Sequence, residues 1–316
     1  MRIEELSDMV NRLNEEVGKA IVGKKSVLEK VLITVLSNGH LLFEDVPGLA
    51  KTLMAKSFAA SLGCKFTRVQ FTPDLLPADI TGTYIFDRKT SDFILRKGPV
   101  FTNILLADEI NRAPPKTQAA LLEAMQEKQT TLEGETFTLP EPFVVLATQN
   151  PIEYEGTYPL PEAQIDRFLM RIDIGYPTPK EEKEIIDRRK ARRKDEVEID
   201  PIGSPELVME MQSAVEDVHV DDDIEEYIVE IVSRTRQHPQ VEIGSSPRGS
   251  LALFKLSKAG AAIRGRDFVI PDDIKDIAVP GLAHRIILKP DPWVKGIKTE
   301  TIVSDVLERV PVPKVD

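Results

Sequence analysis

The sequence predicts a parallel-sheet α/β domain followed by a helical one, and three observations carry that reading. A short apolar run, Leu41-Leu42-Phe43, leads into a tight loop ending in Lys51-Thr52 and then into a strong helix former, Leu53 to Ala60. A second apolar run, Asn103 to Ala107, can be buried on both faces as in a parallel sheet, and it stops abruptly at Asp108-Glu109. From Tyr176-Pro177-Thr178-Pro179 onward the pattern is almost wholly helical. Strands interleaved with helices, then a helical run, divide the chain into an α/β unit over 1–175 and a helical unit over 176–316.

Taken in chain order, helical periodicity covers 3–17 and 24–37, ahead of a strand at 41–44 and a helix running to about 62. Phe66 to Phe71 alternates and is rich in β formers, so it reads as a strand. Residues 80–97 hold two β-rich runs around a polar turn, a hairpin inserted before the acidic strand. Of its Tyr84, Phe86 and Phe93, which could project outward or pack on their own domain, most are expected to pack, since alternating apolar residues usually face inward. Pro114 and Pro115 open a helix over Lys116–Lys128, since proline is tolerated in a first turn. Thr130–Leu132 and Thr136–Leu139 flank Glu133-Gly134-Glu135 as a second hairpin. Phe143–Thr148 is another buried strand ending in Gln149-Asn150-Pro151, and Ile172-Asp173-Ile174 is a last short one. The helical half breaks near 199–204, 238–247 and 265–272.

The strand–loop–helix around Lys51 is a physical recipe for holding a nucleotide triphosphate. Loop N–H groups and the helix N-terminus face the phosphates, Lys51 supplies a cation and the Thr52 hydroxyl reaches Mg²⁺. Against the spacing G-x-x-x-x-G-K-[ST], Asp45 stands in the first glycine place and Ala50 in the second. Ala50 is small enough to keep the backbone near a phosphate, and Gly48 can supply the unusual turn. An ordinary strand-to-helix turn would share some of these features. The pair at the tip of the second strand weighs against that, because adjacent carboxylates beside a core are costly unless a cation sits there. Asp108 would hold Mg²⁺ through its water shell and Glu109, pointing the other way, could polarise an attacking water.

Composition frames these motifs. Apolar residues make up 41% and charged residues 29%, the proportions of a soluble globular protein. The single cysteine, Cys64, excludes an internal disulfide framework and fits a reducing cytoplasm as a small buried hydrophobe. No run approaches membrane-spanning length, and Met1 to Leu6 opens a polar amphipathic helix where a signal peptide would be apolar. His40, His219, His238 and His284 show no metal-ligand spacing, so no zinc is expected. The net charge of −11 is shared, with 24 acids against 19 bases up to 175 and 28 against 22 beyond. A nucleic-acid binder normally shows a basic face, which argues against that partner. The one basic run, Arg188 to Lys194, reads as a solvated helix end or a docking patch for an acidic partner, with Glu184 placed to pair with Arg188.

The ordered set Val46-Pro47-Gly48-Leu49-Ala50-Lys51-Thr52, Leu106 to Arg112, Ala147 to Pro151 and Leu160 to Phe168 resembles the MoxR group of AAA+ ATPases. The resemblance continues at Ser246-Pro247-Arg248-Gly249-Ser250 and Arg264 to Val269, and is poorly marked over about 190–240. It implies an AAA+ P-loop core, a five-stranded parallel sheet with helices on both faces and inserted hairpins, followed by an all-α lid. It implies ATP and Mg²⁺ as cofactors, bound along Val46, Pro47, Gly48, Leu49, Ala50, Lys51, Thr52 and Leu53, with the adenine walled by Ile21, Val22 and Gly23.

The catalytic set implied is Lys51, Glu109, Asn150, Arg167 and Arg248, with Thr52 and Asp108 at the metal. Asn150 matches a polar sensor between phosphate and water, a job an amide can do by donating to one and accepting from the other. Arg167 matches an arginine finger that reaches a neighbouring subunit's γ-phosphate, with Arg171 a competitor for that role. Arg248 matches the lid's second sensor, which would grip the same phosphates as Lys51 from the other half. A finger acting in trans implies a ring, a hexamer in this group, that remodels or matures a client complex and in some cases loads a metal. A separate partner carrying a von Willebrand factor A domain is typical. Two other readings are weighed: a nucleic-acid motor, disfavoured by the acidic balance, and an ATP-binding switch without turnover, disfavoured by Glu109.

Overall fold

The structure, a computed structural model, describes residues 1–89, 91–150 and 157–313. Helices α1 (Ile3–Gly18) and α2 (Lys25–Leu36) precede strand β1 (Leu41–Glu44), helix α3 (Lys51–Ser61) and strand β2 (Phe66–Gln70). Then come α4 (Pro77–Thr81), the hairpin β3 (Gly82–Asp87) and β4 (Asp92–Lys97), strand β5 (Ile104–Asp108) and helix α5 (Pro115–Glu127). A second hairpin, β6 (Gln129–Leu132) and β7 (Glu135–Thr138), leads to β8 (Val144–Gln149), α6 (Glu162–Ile165) and β9 (Met170–Ile172). The remainder is α7 (Pro179–Arg192), α8 (Pro205–Glu216), α9 (Asp222–Gln237), β10 (Val241–Ile243), α10 (Pro247–Ile263), α11 (Pro271–Leu282), β11 (Ile287–Leu288), α12 (Pro290–Val294) and α13 (Thr299–Arg309).

Five strands form one sheet in the order β2-β5-β8-β1-β9, every pair parallel. Alternate side chains point to opposite faces, and the sequence fills both. Leu41, Phe43, Ile104, Leu106, Val144 and Leu146 enter one apolar cluster, whereas Leu42, Leu105, Ala107, Val145 and Ala147 enter another. Helices therefore cover both faces, and continuous apolar strands are what that burial demands. The first cluster runs without a break from α1, α2 and α3 into α8, α9, α10, α11 and α13. Because the strands are parallel, the ends of β1, β5 and β8 meet at one edge, where Glu44 lies opposite Gln149 and Gln70 opposite Asp108.

Three expectations need correction. The last strand of the sheet lies at Met170–Ile172, not 172–174, because the Ile174 and Gly175 N–H groups donate to the Asp45 carboxylate (2.8 and 2.7 Å). The helical half is not all-α: β10 and β11 pair antiparallel, Val241 opposite Leu288, across the break at His238-Pro239. The first hairpin's aromatics do not pack inward. Phe86 and Phe93 are 55% and 65% exposed and lean edge-on against each other at 5.4 Å, since a two-stranded ribbon has no second layer to cover them. Tyr84 instead joins the two hairpins, its hydroxyl donating to Glu135 at 2.7 Å. The basic run ends α7 in local pairs, Arg188 with Glu184 at 2.6 Å and Arg189 with Asp195. No described helix is long and apolar enough to cross a membrane.

Candidate active site

A cleft of about 540 Å³ opens at the carboxyl edge of the sheet, lined by Asp45, the loop from Pro47 to Leu53, Arg68, Gln70, Asp108, Glu109, Thr148 and Asn150. The loop between β1 and α3 is held in an unusual backbone shape, with Gly48 at φ +87° and Ala50 at φ +60°. Glycine takes the first angle freely, while alanine at the second bears a strain of roughly 1 kcal/mol, the kind stored at functional sites. The shape leaves the N–H groups of Gly48 to Leu53 without an acceptor among the described residues. Six donors and the start of α3 in one cleft form an anion cradle, and a polyphosphate fits it.

Lys51 donates to the Asp45 carbonyl at 2.6 Å. Burial lowers its pKa, opposed by the nearby charges of Asp45, Asp108 and Glu109. Asp45, in the first glycine place, commits its carboxylate to backbone donors. Besides Ile174 and Gly175 it accepts from the Val46 N–H at 2.8 Å, so it braces the loop against the chain that follows β9.

At the tip of β5, Asp108 accepts the Thr148 hydroxyl at 2.7 Å, and the same hydroxyl oxygen accepts the Glu109 N–H at 2.8 Å. Arg68 on β2 binds the other Asp108 oxygen through Nη2 (2.6 Å) and Nε (3.1 Å). Glu109 adopts φ +56°, which turns its side chain out of the strand's alternation. Its carboxylate is held by the Gln70 amide at 2.6 Å and by Arg112 at 3.0 Å. Asn150 is buried beside them at the end of β8, while the Pro151 that follows lies outside the described residues. Oxygens at Thr52 and Asp108, with Glu109 adjacent, are the hard donors that a Mg²⁺ and its water shell require.

A smaller apolar cavity of about 150 Å³ adjoins the cradle, sharing Gly48, Leu49, Ala50 and Leu53 with it. Ile21 and Val22 line it together with Ile174, Pro177 and Ile185, and a flat heterocycle suits such walls. Gly23 does not line it. It has φ +67°, and Glu181 of α7 lies where its Cβ would be. A larger cavity of about 960 Å³ lies elsewhere, between the start of α9 and Val310–Pro313. Asp222, Asp223, Glu225, Glu226 and Glu230 line it, which would repel a nucleotide.

The arginines stand apart. Neither Arg167 nor Arg248 lines the cleft. Arg248, capped by Ser246 at the start of α10, reaches Asp166 at 3.3 Å. Arg171 is engaged between Glu44 (3.0 Å) and Glu300 (2.8 Å), whereas the Arg167 guanidinium has no partner among the described residues. Sequence reasoning missed Arg68, Gln70, Thr148 and Ile185. Thr148 sat inside the motif already quoted, but Arg68, Gln70 and Ile185 reach the site only through the strand order and the packing of α7, which no local pattern encodes.

The pattern of the ATPase family associated with various cellular activities (AAA) matches residues 40–170, and that of the AAA lid domain matches 233–306. The uncharacterized protein YeaC of Bacillus subtilis is 48% identical over 98% of this chain and 97% of its own. Chaperone MoxR1 of Mycobacterium tuberculosis is 44% identical over 95% and 81%, and Protein MoxR of Methylorubrum extorquens 30% over 97% and 96%. A solved chain from Cytophaga hutchinsonii assigned as an ATPase superposes with a TM-score of 0.92 at 42% identity, covering 98% of this chain and 96% of its own.

Proposed function

The chain belongs to the MoxR group of AAA+ ATPases, and we propose that it hydrolyses ATP with Mg²⁺ in a site completed between subunits, using the cycle to remodel a client protein complex. The observation that carries the catalytic half is the pairing of six unpartnered N–H groups, from the loop and the first turn of α3, and of Lys51 with the Asp108-Glu109 tip across one cleft. In this reading Lys51 and the cradle bind the β- and γ-phosphates, Thr52 and Asp108 hold Mg²⁺, and Asn150 orients the attacking water. The metal supplies neutralisation of charge building on the transferred phosphoryl group. Glu109 takes the proton of that water. For this it must exchange Gln70 and Arg112 for the water, so the two are a brake on turnover before nucleotide is seated.

The shared-site half rests on where the arginines lie. Arg167, half-buried in the turn after α6, has no side-chain partner among the described residues and does not line the cleft of its own subunit. Between the two candidates, Arg167 is the better finger, because Arg171 is tied down between two carboxylates. Arg248 shares Asp166 with that turn, so it too would reach phosphate from the finger's side, which departs from a grip opposite Lys51 in the same subunit. We further propose the division of labour at 175/176 between core and lid. The continuous apolar cluster that joins them favours small sliding movements over a free hinge.

Relatives named MoxR and Chaperone MoxR1 support the chaperone-like role. A hexameric ring, a cytoplasmic setting and a separate partner with a von Willebrand factor A domain complete the proposal. The test is Mg²⁺-dependent phosphate release by the intact chain and by Glu109→Gln. The variant should bind ATP yet lose turnover, and retained turnover would remove Glu109 from the role of base.

A further inference from the structure

We propose that Arg285, assisted by His284, is a positioning residue for Arg167: the helical half of the chain holds the finger in place through this pair. The inference rests on the reading that Arg167 completes a neighbour's site. Arg285 ends a 3-10 turn after α11, with its side chain 2% exposed. All five of its donors are used, the full complement of a guanidinium. Nε binds the Asp166 carboxylate at 2.7 Å, and Nη1 the Leu169 carbonyl at 3.3 Å and that of Gly281. Nη2 spans the carbonyls of Asp166 (3.2 Å) and Phe168 (2.9 Å), the two residues on either side of Arg167. His284 is buried next to it, and its Nε2 donates to the same Phe168 carbonyl at 3.1 Å.

One buried fork thus grips the backbone before and after Arg167, while the Arg167 side chain itself is left without a partner among the described residues. That is the arrangement a finger needs: a fixed base and an uncommitted tip. Mere packing between α11 and the sheet would be served as well by apolar side chains, without the desolvation of a charge. Arg248 sits on the other oxygen of Asp166, so a shift of the helical half would move the clamp, the finger and Arg248 together. Lysine cannot replace the fork, because a point charge cannot reach both carbonyls and the carboxylate in fixed geometry.

The working variant is therefore Arg285→Lys, which keeps a charge in the buried site, with Arg285→Ala as the second. Turnover at saturating ATP should fall about 10-fold or more, while the ATP dissociation constant stays within about twofold, since displacing a catalytic group by an ångström costs on that order. The decisive readout is mixing. Arg285→Lys has an intact cradle and Glu109, and Glu109→Gln has an intact finger, so equal amounts of the two should recover activity that neither shows alone. Arg167→Ala mixed with Glu109→Gln is the reference. Recovery in both mixtures supports the clamp. Recovery with Arg167→Ala but not with either Arg285 variant would overturn it, as would wild-type turnover by Arg285→Lys alone. No recovery in the reference mixture would sink the shared site itself, and the inference with it.

Discussion

The cleft around Lys51 and the turn around Arg167 are built on different plans. In the cleft, Lys51, Thr52, Asp108, Glu109 and Asn150 converge from the ends of three adjacent strands, and each is placed by its own strand or loop. The turn is placed from outside: its backbone carbonyls accept from Arg285 and His284, more than a hundred residues later. A site that binds must be present in every subunit and can be local. If Arg167 acts on a neighbour as proposed, it must answer to the state of the whole subunit, and the contacts from Arg285 and His284 would give it that dependence.

The comparison breaks most sharply at Arg167. Arg167→Ala should lower turnover by about 10³-fold or more with ATP affinity unchanged, as loss of an arginine finger does; an equal loss of affinity would place Arg167 in its own subunit's cradle. Glu109→Gln comes next, with turnover about 10²- to 10⁴-fold down, measured beside equilibrium nucleotide binding. Lys51→Ala should act the other way round, weakening ATP binding by roughly 10- to 100-fold through loss of a charged hydrogen-bond donor. Calorimetry on the two variants would show the contrast directly.

Two buried histidines, His40 and His284, make stability depend on pH. Just ahead of β1, at the sheet edge opposite the cleft, His40 accepts the Val145 N–H at Nδ1 and faces the Met125 carbonyl with Nε2, both at 3.0 Å. Burial pushes its pKa down to about 4 from 6.5. Under the Arg167 turn, burial holds His284 well below its ordinary value too. Burial disfavours the charged form of each in the folded state. Their contribution is therefore complete above about pH 6.5, the unfolded value, and is lost as pH falls toward the depressed folded value. For His40 the whole loss is about 3 kcal/mol. Denaturant titrations between pH 7 and pH 4 should show this slope, and His40→Gln should flatten it. The smallest effect belongs to neither region. Phe86→Ser and Phe93→Ser at the exposed hairpin tip should change stability by less than about 0.5 kcal/mol, so a large drop in melting temperature would mean the tip packs after all.

Much of this was legible in the chain because parallel strands buried on both faces read as continuous apolar runs. β1 lies where the periodicity put it, and β5 and β8 lie within a residue. The strand–loop–helix at Lys51 was legible because its residue types are dictated by backbone shape and charge, even with Asp45 in a glycine place. Less visible was anything decided by a distant partner. The end of β9 moved because Asp45 captured the Ile174 and Gly175 N–H groups, and the hairpin aromatics are exposed because no layer covers a two-stranded ribbon. Arg285 carried no local signal, since its meaning comes from the Asp166 and Phe168 carbonyls, 119 and 117 positions away.

The central claim is that the site is complete only between subunits. Steady-state ATPase activity per subunit, measured with Mg²⁺ over a wide range of protein concentration, tests it most directly. Activity per subunit should rise and then saturate as the chains assemble. Flat activity down to concentrations where sedimentation shows only monomer would contradict it.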